Sequence, residues 1–177
     1  MARTVTLKDD KVIDSWATII EGAQDKAATI FEMTERALTE SEAPDVEWEM
    51  VEAQPSRVKG FFQGKKRDYL MVTNKGVGDF YRMYLGARDY GKQLDVTWFL
   101  TAEPKWLKSI AKGAATLATG GVAAALMGID IFDQQDLRAY VTVTHHCLLK
   151  AVETVMGELG QDVSKIDRKS KGSLEVW

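Results

Sequence analysis

The stretch DKVIDSWATIIEGAQDKAATIFEMTERALT, Asp10–Thr39, decides how the chain is read. Apolar residues recur in it at Val12, Ile13, Trp16, Ile19, Ile20, Ala23, Ala27, Ile30, Phe31, Ala37 and Leu38, the spacing of one helix face. Asp14, Glu21, Asp25, Lys26, Glu35 and Arg36 fall between them as a solvated face. Asp9 or Asp10 can cap the start, and Pro44 forbids continuation past TESEAPD. The spacing predicts one long N-terminal helix over about 9–41, roughly 45 Å from end to end.

From Val46 the period drops to two. VEWEMV alternates Val46, Trp48 and Met50 with Glu47 and Glu49, as a half-buried strand does. RVKGFFQ, DYLMVT, DFYRMYLGA and QLDVTWFLT follow, separated by short polar turns, and the last sets Leu94, Val96, Trp98 and Leu100 on one face. Short links between consecutive strands imply an antiparallel meander of about five strands over 46–101. After Pro104 come KWLKSIAK and a small-residue-rich stretch over 113–129. A helix is then expected from Asp133, carrying Leu137, Tyr140, Val141, Thr144, Leu148, Ala151, Val152, Val155 and Leu159 on one side. AYVTVT (139–144) is β-branched and would suit a strand, but the helical period continues unbroken to Leu159, and Gly160 stops it. The fold class expected is α+β in a single domain over 1–177. It comprises a long N-terminal helix, a five-stranded antiparallel meander and C-terminal helical segments packed on one sheet face, with a tail over 161–177.

The bulk numbers narrow the function. At 177 residues, 45% hydrophobic and 28% charged, the chain has the composition of a globular domain large enough to bury a core. A net charge of −3 argues against a general nucleic-acid binder, which needs a basic field to displace counterions. A single cysteine, Cys147, excludes an internal disulfide and fits a reducing compartment. MARTVTLKDDKVIDSW lacks a basic start followed by an apolar run, so no secretory signal is read and a cytoplasmic location is expected.

No motif carries recognisable chemistry. His145 and His146 are adjacent, so on a helix they diverge by about 100° and cannot chelate one ion together. Among their helix neighbours at three and four residues, Val141, Thr142, Leu148, Leu149 and Lys150, no second ligand stands. NKGVGD precedes a strand and reads as a hairpin turn rather than a phosphate cradle. GKKRD (64–68), with Lys59, Arg82, Arg88 and Lys92 near aromatic residues, is the pattern of a stacking platform for single-stranded bases. The simpler account is that the rings bury the sheet and the charges protect its edges. No cofactor and no metal is called for.

The remaining signals concern contact. KGAATLATGGVAAALMGID, Lys112–Asp130, holds no charge between its end residues, yet its seventeen inner residues fall short of the roughly twenty that a spanning helix needs. Gly113, Gly120, Gly121 and Gly128 would let another backbone approach closely. Upstream, Trp106, Leu107 and Ile110 alternate with lysines, as in a small interfacial anchor. Trp177 ends a basic tail that docks on its own domain or reaches a partner. The leading expectation is therefore a non-catalytic interaction or assembly module, a homo-oligomer or a binder of a protein partner. Its contacts would be the N-terminal helix and the Gly/Ala-rich segment. The alternatives are a peripheral membrane or lipid-binding protein using 105–129, and an enzyme whose unfamiliar site gathers Arg82, Arg88, Asp95 and a histidine.

Overall fold

A computed structural model describes residues 3–7, 12–55, 66–78, 80–103, 130–172 and 174–177. The elements are β1 (Arg3–Leu7), β2 (Val12–Glu21), α1 (Ala27–Ser41), β3 (Val46–Pro55), β4 (Arg67–Asn74), β5 (Tyr81–Tyr90), β6 (Gln93–Ala102) and α2 (Ile131–Glu158), followed by a 3-10 turn at Val163–Lys165. The class is α+β, built on a six-stranded mixed sheet in the order β1-β3-β4-β5-β6-β2.

The expected long N-terminal helix does not form. Residues 12–21 are strand β2, antiparallel to β6 with Trp16 opposite Trp98 and Ile20 opposite Leu94. VIDSWATII is rich in β-branched and aromatic side chains, which suit a pleated surface better than a helix. A helix would have kept Ile19 beside Trp16 and Ile20. The strand instead turns Ile19 to the opposite face, where it is exposed, while Trp16 and Ile20 are buried. A register shift between Val12 and Asp14 explains why Ile13 and Asp14 are both buried, which mimics helical spacing. Gly22 and Asp25, at φ of 65° and 66°, then turn the chain, and only α1 is helical. It buries Ile30, Thr34, Ala37 and Leu38, and ends in a left-handed cap at Glu42, just before Pro44.

The expected five-stranded antiparallel meander is also corrected. Among the described residues, β3 to β6 make four antiparallel strands in sequence. The sheet gains β2 beside β6 and β1 parallel to β3, so it is mixed. The stretch RVKGFFQ lies outside the described residues. Helix α2 spans 28 residues, about 42 Å, and takes in the ambiguous AYVTVT. Tertiary burial decides this: Tyr140, Val141, Thr144 and His145 are all buried in the helical frame. Gly160, at φ 69°, follows its end.

Both helices cover one face of the sheet. They lie antiparallel, with Lys26 beside Glu158 at one end and Glu40 beside Lys150 further along. The core beneath them takes Leu94, Val96, Trp98 and Leu100 from β6, as the alternation predicts, together with Met83 and Leu85 from β5 and Leu70 and Val72 from β4. The Tyr140 hydroxyl donates to Val72 O at 2.6 Å and accepts from Met83 N at 3.2 Å, so α2 is pinned to β4 and β5 through one buried oxygen. A smaller cluster of Val51, Ala53, Tyr69, Met71 and Tyr84 is buried on the other face.

Candidate functional site

The side chains with most chemical capacity are committed to holding the C-terminal tail. His145 sits between Trp98 and Trp16, edge to face with both, and is fully buried. The Trp98 indole N–H can only donate, so His145 Nδ1 accepts at 2.8 Å. That assigns the ring proton to Nε2, which donates to Arg168 O at 2.8 Å. Burial pushes the imidazole pKa down to about 4, and the ring is neutral at physiological pH. On the neighbouring helix position, His146 Nε2 donates to the backbone oxygen of Trp177 at 3.1 Å. The two histidines diverge as adjacency requires, and each grips the tail.

Asp14 completes the anchor. It is fully buried on β2, and its Oδ2 accepts from Ser170 Oγ at 3.1 Å and Leu174 N at 3.0 Å. Its Oδ1 accepts from Ser15 N at 2.7 Å. Gly172 packs directly on this residue: a Cβ there would lie 2.5 Å from Asp14 Cα. The Trp16 indole donates to Asp167 O at 2.6 Å, and Lys171 N donates to Ser15 O at 2.7 Å. Together with Gln161, whose amide reaches Glu21 O, the tail occupies acceptors along the outer edge of β2. Such cover keeps an edge strand from pairing with other chains. The tail therefore docks on its own sheet, burying Ile166, Leu174 and Val176, while the Trp177 ring stays 74% exposed.

Other residues singled out from the sequence fall as follows. Trp106, Leu107, Ile110, Gly113, Gly120, Gly121 and Gly128 lie outside the described residues. Arg82 pairs with Glu103, and Arg88 pairs with Asp95 while lying 5.8 Å from the centre of the Tyr90 ring. Arg88 and Asp95 share a cleft that contains neither Arg82 nor a histidine, so the four groups of the enzyme alternative are not brought together. Of the rings near those charges, Tyr69, Tyr81 and Tyr84 are buried, Phe80 is half-buried and Tyr90 is exposed, while Phe61 and Phe62 lie outside the described residues. Burial raises the Cys147 thiol pKa, which holds it as the less nucleophilic thiol. Among the described residues no three His, Cys, Asp or Glu side chains gather in a way that could hold a metal ion.

One exposed feature lies outside the residues singled out from the sequence. Helix α2 begins at Ile131, two residues before the expected start, because the Asp130 side chain accepts from Phe132 N and Asp133 N and caps it there. Every residue from 131 to 136 is exposed, and Ile131 and Phe132 are 65% and 72% exposed. The capping aspartate was the available signal. Among the described residues no helix is long and apolar enough to cross a membrane. No protein-family model matches the chain, and neither a curated protein nor a solved structure matches it.

Proposed function

We propose that this chain is a non-catalytic assembly module that associates with copies of itself through the exposed start of α2 and the Gly/Ala-rich segment that leads into it. One observation carries the reading: the first six residues of α2 are all exposed, and they open on two adjacent large apolar side chains, Ile131 and Phe132. Those turns contribute nothing to the described core, and exposed Ile and Phe in sequence are costly to keep in water without a partner. In sequence they stand one residue, Asp130, beyond the uncharged run from Gly113 to Ile129, whose small residues permit close backbone approach. The long N-terminal helix drops out as a contact element because it is not formed. His145, Asp14 and Tyr140, the groups best suited to acid–base work, have their polar atoms engaged in structural hydrogen bonds. That commitment supports a role in binding over one in catalysis.

Light scattering over a concentration series tests the proposal, with flotation on anionic phospholipid vesicles run in parallel. The expected result is a mass that rises to a multiple of 19.7 kDa without vesicles. A constant monomer mass overturns self-association, and a monomer that floats with vesicles transfers the same surface to a lipid partner.

A further inference from the structure

A cleft of about 680 Å³ opens where β4 and β5 part company. Their pairing runs only from Leu70 opposite Leu85 to Thr73 opposite Arg82. Before Leu70, β4 stays with β3, down to Arg67 opposite Ala53. Beyond Leu85, β5 stays with β6, out to Tyr90 opposite Gln93. The Tyr69 ring enters the gap and lies across Gly86, where an added Cβ would meet its Cε1 at 2.6 Å. The separation is thus held open by a buried aromatic ring against a residue that has no side chain.

The lining gives the cleft its chemistry. Ala17, Ala27, Ala28 and Ala87 end at Cβ and leave the space, while Phe31, Met50 and Phe99 supply apolar wall. The polar rim holds Lys66, Arg67 and Arg88 with Asp68 and Asp95. Two of those cations are engaged: Lys66 pairs with Glu52, and Arg88 with Asp95. Arg67 makes no ion pair among the described residues and is exposed at the mouth. Asp68 follows it on the strand and points to the face that α1 covers, so the cleft is lined from both faces, with Arg67 on the open one and Asp68 exposed on the other. The volume lies in the range of small-molecule sites, and such sites are mostly apolar with few convergent polar groups.

We infer that this cleft binds a small amphiphilic monoanion, a carboxylate with an aliphatic or aromatic body, whose charged head meets Arg67 on the open face and whose body runs past Ala17 and Phe99 into the gap towards Ala28 and Phe31. A charged head on a guanidinium forms the strong, charge-assisted kind of hydrogen bond. The cleft includes no residue of the exposed start of α2, and it holds or fails independently of self-association.

Calorimetric titration of the full chain with decanoate, and with decanol as the uncharged probe of equal length, tests the inference. Decanoate is expected to bind saturably at one site per chain, about tenfold or more tighter than decanol, the factor of one hydrogen bond to a charged group. Arg67→Gln should bring decanoate down to the decanol level, and Ala28→Phe should abolish binding of both. Both positions are exposed or lie at a helix start, and thermal melting checks that each variant folds. An Ile131→Glu/Phe132→Glu variant should bind decanoate as the wild type does. The absence of saturable decanoate binding overturns the site, as does unchanged binding in Ala28→Phe. Equal affinity for decanoate and decanol overturns the anionic head.

Discussion

The two ends of helix α2 are opposites. From Leu137 to Met156 it buries about two side chains per turn, and His145 and His146 hold the tail from it. From Ile131 to Asp136 the same helix buries nothing, although two of its residues are large and apolar. Folding accounts for the first half: hydrophobic burial, a hydrogen-bonded imidazole and a docked tail are all satisfied inside the chain. It does not account for the second. A helix starting at Leu137, six residues shorter, would bury the same side chains, and the exposed first turns are the surface we propose for self-association.

The buried end should be the more fragile. Asp14→Ala is expected to have the largest effect, since it leaves the Ser170 hydroxyl and the Leu174 and Ser15 amides without their acceptor. A loss of about 3–4 kcal/mol in denaturant unfolding is expected, with earlier proteolysis of the tail. Asn at this position keeps one acceptor oxygen and should lose less. A loss below about 1 kcal/mol would show that the tail anchor is incidental.

Acid should act next, through His145. Its folded pKa, about 4, lies below its ordinary value of 6.5, so the unfolded chain binds the extra proton between those values. The His145 contribution is fully present above pH 6.5 and is lost as pH falls towards 4. It is expected to be on the order of 3 kcal/mol. A His145→Phe variant should lack this part of the acid dependence, which urea melts at stepped pH would reveal. An unchanged pH profile in that variant would remove His145 as the acid-sensitive clamp.

At the smallest scale, Thr144→Val should be neutral or slightly stabilising. The Thr144 hydroxyl is fully buried and finds no hydrogen-bond partner among the described residues, so an isosteric methyl removes a desolvation cost. Thermal melting checks this, and a clear loss of stability would mean that the hydroxyl is satisfied in solution.

Much of the architecture was legible from local pattern. The alternation in VEWEMV and QLDVTWFLT placed β3 and β6 and told which faces are buried, because the period of a strand is written in adjacent residues. The period of α2 was legible through AYVTVT for the same reason. Strand β2 was not, since a bulge at Val12–Asp14 made a strand carry helix-like spacing, and only pairing with β6 distinguishes the two. The parallel partnership of β1 with β3 depends on residues nearly fifty positions apart and leaves no local mark. Of the contact surface, Trp177 and the small-residue run were singled out, whereas Ile131 and Phe132 were passed over by starting the helix at Asp133. The cleft could not be read at all. Ala17, Ala28 and Arg67 sit on three elements, and their meeting depends on where β4 and β5 cease to pair.

The most direct test of the contrast between the two ends is one variant, Ile131→Glu/Phe132→Glu, measured twice on the same sample. Both positions are exposed, so thermal stability should stay within about 0.5 kcal/mol of the wild type. Light scattering should meanwhile find the mass reduced to the 19.7 kDa of a single chain. An assembly that persists in this variant, or a variant that unfolds along with its loss of mass, would contradict the division of α2 into a folding end and a contact end.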